Sequence, residues 1–300
     1  MTRRGLFLLL VVVVLWGQDW AQTSKITASD RAVDGYFGES VSIDGDYAIV
    51  GAPTYDGSGS AYIYHYNGTS WDFIQKLAPG DLVSGDRFGN SVAISGDYAI
   101  IGAAHQTLWK GSAYIFQNSA GTWSQVQKIV ASDGASNFQF GYSVAISGSY
   151  AIIGTHPQTA SPGVAYIFEN DAGTWSQSYK ALAPDGATSD RFGYAVSISG
   201  DYALIGAYEE DEDASGANNL GSAGSAYLFY RSGGTWSHVQ KLVASDRAGD
   251  DNFGRAVAIS GDNLVVGAYR EDHDEAGSSY IWNTGSAYIF KNNSGYWTEN

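Results

Sequence analysis

No cysteine occurs among the 300 residues, so disulfides do not hold this chain together and paired-thiolate metal motifs are ruled out. Proline is scarce, at 5 residues. Basic side chains are outnumbered, 16 Lys and Arg against 31 Asp and Glu, for a formal net charge of −15. Removal of a leader carrying Arg3, Arg4 and Asp19 would leave −16. That balance argues against nucleic acid as a partner, because phosphate backbones select basic surfaces. It favours solubility and attracts cations or basic partners. Apolar runs long enough to cross a bilayer are also lacking, since the one long run, Leu6 to Trp16, falls short of the roughly 20 residues a span requires. HExxH, GxSxG and GxGxxG are all missing, and the five histidines (His65, His105, His156, His238 and His273) sit in unlike contexts. The expectation is a protein that is not an enzyme.

What the chain does contain is glycine, 38 residues of it, with 21 Tyr, 12 Phe and 9 Trp. That mixture favours strands joined by tight turns. At the N-terminus, Arg3 and Arg4 precede the apolar run, and a polar, small-residue stretch follows through Ala21 and Gln22. This is the layout of a secretory signal peptide over residues 1–21, with a secreted or cell-surface mature chain from 22 to 300.

Internal repetition organises everything after the leader. FGESVSIDGDYAIVGA from Phe37, FGNSVAISGDYAIIGA from Phe88, FGYSVAISGSYAIIGT from Phe140, FGYAVSISGDYALIGA from Phe192 and FGRAVAISGDNLVVGA from Phe253 are copies of one unit. Each continues, after a variable loop, with a block such as SAYIFQN, and then with a block that opens on Trp71, Trp123, Trp175, Trp236 or Trp297.

In the second copy, Ser91 to Ile94 alternates and meets the turn Ser95-Gly96-Asp97, which predicts a hairpin with the return strand Tyr98 to Ala103. The return strand and Ala113 to Phe116 are apolar on both faces, as strands buried on both sides are. Trp123 to Ile129 carries Ser124, Gln125, Gln127 and Lys128 and reads as the wet outer edge. Four strands per copy, three dry and one polar, predict an all-β protein, a β-propeller of four-stranded blades read from the channel outward. A β-solenoid would use shorter coils, without alternating tight turns and long loops at this period.

The Phe-Gly opening of each copy and the Gly-Ala closing of all but the third, completed to Gly51-Ala52-Pro53 in the first, resemble the FG-GAP repeat of integrin α-subunit propellers and of exported bacterial proteins. The resemblance covers the chain from about Lys25 onward. It implies an extracellular binding or adhesion module. Integrin blades that bind calcium carry an Asp-rich loop between their first two strands, but here that connection is as short as Ser95-Gly96-Asp97. It is too short to wrap an ion that takes six to eight oxygens.

A calcium-like string lies instead between strands two and three of the fourth copy, where Asp211, Asp213 and Ser215 precede Gly216 and Asn219 follows. The fifth copy offers Asp272 and Asp274, with Ala276 in place of a third ligand. Calcium is the only cofactor these loops suggest. The strand two–three loops differ completely among copies, and they emerge on the same face as the Asp-rich connections between blades. That face is expected to be acidic and variable, and to carry Trp109, Tyr208, Tyr269, Tyr280 and Trp282. Trp109, Tyr208, Tyr269 and Trp282 are the expected anchors for an extracellular protein or glycan. An enzyme site assembled from several blades, and a purely structural surface protein, are the competing readings. The chain is expected to be a monomer without membrane insertion.

One further expectation concerns the ends. Trp297-Thr298-Glu299-Asn300 begins a fourth strand, and Ser24 to Asp30 matches the end of one, as in Lys241 to Asp246. The two termini are expected to make a shared outer strand that closes a five-bladed ring, unless the copies belong to a larger one.

Overall fold

The computed structural model of the chain describes residues 22, 24–30, 33–158, 161–273 and 281–300. The leader at 1–21 lies outside the described residues. So do Asp274, Ala276 and Tyr280. Twenty strands among the described residues form five antiparallel sheets, each a four-stranded meander in chain order. The first contains β1 (Ser40–Asp44), β2 (Tyr47–Ala52), β3 (Ser60–Tyr66) and β4 (Trp71–Leu77). The second contains β5 (Phe88–Ser95), β6 (Tyr98–Ala103), β7 (Ser112–Ser119) and β8 (Thr122–Ile129). The third contains β9 (Ser143–Ser147), β10 (Tyr150–Gly154), β11 (Ala165–Asp171) and β12 (Thr174–Ala181). The fourth contains β13 (Val196–Ser199), β14 (Tyr202–Ala207), β15 (Ser225–Ser232) and β16 (Thr235–Leu242). The fifth contains β17 (Phe253–Ser260), β18 (Asn263–Ala268), β19 (Ser286–Asn293) and β20 (Tyr296–Glu299).

The dry central strands arise because alternate side chains serve opposite neighbours. Ile100 and Ile115 of the second sheet pack with Phe140, Tyr166 and Trp175 of the third. Ile101, Tyr114 and Phe116 of the same sheet pack with Ile49 and Ile63 of the first. The same alternation joins the third sheet to the fourth and the fourth to the fifth. The second, third and fourth sheets are thus blades stacked between blades, which is why their strands with no polar face fold without exposing one, whereas the fifth sheet leaves Val265 and Ile289 exposed on its outer face.

The Phe-Gly and Gly-Ala pairs make the inner contact between blades. A methyl group built on Gly102 would land inside the radius of the Gly141 carbonyl oxygen, and Gly51 and Gly206 meet Gly89 and Gly254 in the same way. No side chain fits between these backbones. Ser40, Ser91 and Ser143 tighten the seam, each hydroxyl donating to the carbonyl of Gly89, Gly141 or Gly193 at 2.7–2.8 Å.

Two clips repeat along the outer strands. Gln75 donates to the Trp123 carbonyl at 2.7 Å and accepts from the Trp123 amide at 3.0 Å, and Gln127–Trp175 and Gln240–Trp297 repeat the pair. The second clip joins an Asp four residues beyond one fourth strand to the next blade: Asp81 with Tyr114 and Lys128, Asp133 with Tyr166 and Lys180, and Asp185 with Tyr227 and Lys241. Much of the acid in the inter-blade connections is therefore structural.

Ser24 to Asp30 follows this second pattern rather than the shared strand expected from the sequence. Tyr62 donates to Asp30 at 2.9 Å and the Lys76 ammonium stands 2.9 Å from it. Ile26 and Ala28 pack onto Val50, Tyr62 and Tyr64. The apolar face of the first blade thus holds the segment, which forms no strand, and the fifth sheet consists of β17 to β20 alone.

Candidate functional site

The residue after each Phe-Gly pair, and the residue after each closing Gly-Ala or Gly-Thr pair, meet on the rim above the inner seam. The first position holds Glu39, Asn90, Tyr142, Tyr194 and Arg255, and the second holds Pro53, Ala104, His156, Tyr208 and Tyr269. The strand two–three loops reach the same rim, because each runs alongside the opening of the next blade: Gly59 bridges Phe88, Gly111 bridges Phe140, Gly163 bridges Phe192 and Gly224 bridges Phe253.

Over the third, fourth and fifth blades the rim is aromatic. Tyr142 lies 5.0 Å from Tyr194, Tyr194 lies 4.6 Å from Tyr208, and the His156 ring is 4.6 Å from Tyr142 and 5.2 Å from Tyr194. The Arg255 guanidinium stands over three of these rings, 4.6 Å from Tyr194, 5.0 Å from Tyr208 and 4.8 Å from Tyr269. Arg270 is 5.2 Å from the Tyr269 ring. Burial, reinforced by the nearby Arg191 and Arg255 cations, pushes His156 down to about 4, so its imidazole is neutral at ordinary pH. Burial and the neighbouring Glu209 raise the Tyr208 phenol to about 12.

The rim continues over the first two blades as a cavity of about 280 Å³ lined by Glu39, Arg87, Asn90, Ala104, His105 and Tyr142. Arg87 is paired with Glu39 at 2.8 Å, as Arg191 is with Glu209 at 3.1 Å. Trp109 stacks on the lining residue His105 at 4.1 Å and 8°.

The expected anchors are distributed unequally. Trp109 is 42% exposed and Tyr269 44%, whereas Trp282, at 75%, is more open still. Tyr208, at 8%, is a wall of the cluster rather than a free ring. Tyr142, Tyr194 and Arg255 were not singled out by sequence reasoning. Aligning the copies on Phe-Gly and reading the next column as a ring would have found them.

The candidate calcium ligands serve their own loops. Asp213 accepts from the Ser215 and Ala217 amides, from the Ser215 hydroxyl and from Asn218, which hold its carboxyl far below the usual range. Asp211 accepts from the Ser222 amide at 2.7 Å, and Asp272 does the same for Asn283 at 2.6 Å. Asp274 lies outside the described residues. A different set, Asp185, Glu210 and Glu212, brings its carboxylates within 4.8 Å of one another, close enough to share a cation. All-oxygen donors suit a hard ion. The Lys241 ammonium is already there, however, 2.7 Å from Asp185 and 2.8 Å from Glu210.

These features define the class: a propeller-type array of four-stranded blades with an aromatic rim above a glycine seam. Five matches to the FG-GAP repeat, at residues 20–64, 71–116, 123–168, 175–229 and 236–290, span most of the sequence, and the chain belongs to the FG-GAP repeat family. No curated protein matches it.

Proposed function

We propose that this chain is an exported, non-catalytic binding module, secreted or held at the cell surface, which recognises an extracellular protein or glycan through its rim. The observation that carries the reading is the contrast between seam and rim. The same backbone contact recurs between blades, whereas the two positions directly above it vary, with four residue types at each among the five copies, and include the exposed Tyr269 ring. Rigid scaffolds present recognition in this way, with aromatic anchors on variable loops. The acidic composition keeps nucleic acid away, and a monomer suffices to present the rim.

Calcium, in this reading, binds the acidic loops of the fourth and fifth blades. Its test is the melting temperature with calcium and with a chelator, because an ion bound only by the native state stabilises it by mass action. Asp211→Ala with Asp213→Ala should remove most of the increment, and an unchanged melting temperature would reject calcium. For the module itself, labelled protein is applied to a glycan array and to intact cells. Trp109→Ala with Tyr269→Ala should abolish the signal while the melting temperature holds. Binding that survives the double substitution would reject the rim as the recognition surface.

A further inference from the structure

In a chain of net charge −15, two arginines on the rim have no anionic partner among the described residues. Arg87 and Arg191 are each neutralised by a glutamate, and Lys76, Lys128, Lys180 and Lys241 by aspartates of the outer clip. The Arg255 and Arg270 guanidiniums meet neither a carboxylate nor a hydrogen-bond acceptor among the described residues; only tyrosine rings face them. A guanidinium held over aromatic rings is fixed in place without using its N–H donors, which stay available for a planar, two-oxygen acceptor. Both stand beside the same ring, 4.8 and 5.2 Å from the Tyr269 centroid, which places them in one patch of the rim.

We propose that Arg255 and Arg270, with Tyr208 and Tyr269, form a receptor for a single carboxylate borne by a sugar, an acidic residue ending an otherwise neutral glycan. The proposal rests on the binding-module reading and narrows it to one ligand class. The carboxylate follows from the two unneutralised forks, since bidentate pairing is what a guanidinium does best. The sugar follows from the aromatic surface beside them, the exposed part of Tyr269 and the Trp109 ring farther along the rim, against which the C–H groups of a pyranose can pack. A single carboxylate, rather than a polyanion, follows from the surrounding negative charge, which repels any ligand bringing many charges of the same sign.

The test is calorimetric titration of the full chain with three probes: a trisaccharide ending in one glucuronate, the same trisaccharide ending in glucose, and a tripeptide with a free C-terminal carboxylate. The acidic trisaccharide should bind, and the other two at least about tenfold more weakly, as loss of a charged hydrogen-bonded pair implies. Arg255→Gln and Arg270→Gln should each weaken it at least about tenfold at unchanged melting temperature. Arg270 is exposed, so its variant remains informative even if the Arg255 variant misfolds. Equal affinity for both sugars would overturn the carboxylate, equal affinity for the tripeptide would overturn the sugar, and silence of all three would overturn the site. None of these failures touches the array experiment above, which tests the rim by a different readout.

Discussion

Gly141 and Tyr142 are neighbours in the chain and opposites in what constrains them. The first presses its backbone against Gly102 of the preceding blade, where no side chain fits. The second points onto the rim, at a position where the other copies have Glu39, Asn90, Tyr194 and Arg255. One residue thus separates the part of the repeat that the stack dictates from the part it leaves open. The division extends to the tryptophans: Trp175 is 2% exposed inside the third blade's core, whereas Trp109 rests on His105 at the surface.

The sharpest way to break this contrast is Trp175→Ala, which should cost about 3–5 kcal/mol in urea unfolding, as large aromatic deletions from a core do. Gly102→Ala should follow at about 1–3 kcal/mol, because the added methyl must push two backbones apart. Asp190 probes the margin between the two regions. Its burial, with Glu210 nearby, raises its carboxyl to about 7 despite the hydrogen bond from the Ala187 amide. A folded-state pKa above the unfolded value gives stability that is full below about pH 4 and lost as the pH climbs through about 7. The melting temperature should fall over that window, and Asp190→Asn should flatten the fall without abolishing it, since burial also raises Asp251, to about 6. Gln127→Ala, which opens one outer clip, should cost about 1 kcal/mol. Trp109→Ala should stay within about 0.5 kcal/mol. A Trp109 variant as damaging as the Trp175 variant would erase the distinction between seam and rim.

Legibility in the sequence followed the same line. Tyr98 to Ala103 is the strand expected from the alternation and the Gly96 turn, and β5, β7 and β8 run only a few residues beyond their expected limits. Those features repeat, so one copy corroborates another. The tyrosine–arginine cluster escaped although Tyr recurs at both columns, as Tyr142 and Tyr194 and as Tyr208 and Tyr269, because only the fold brings the two columns of neighbouring blades together. The acidic connections also look different once folded: Asp81, Asp133 and Asp185 reach across to a tyrosine and a lysine of the following blade, a pairing that separations of 33 to 56 residues conceal.

The outer clips also impose an order in time. Gln75 waits for Trp123 and Gln127 for Trp175, each 48 residues downstream, and every clip reaches forward by about one repeat. During synthesis a blade can form its own hairpins while its outer strand still lacks a partner, and only the arrival of the next tryptophan supplies one. On a growing chain this makes the newest blade the unfinished one, each outer clip closing when the following repeat has emerged.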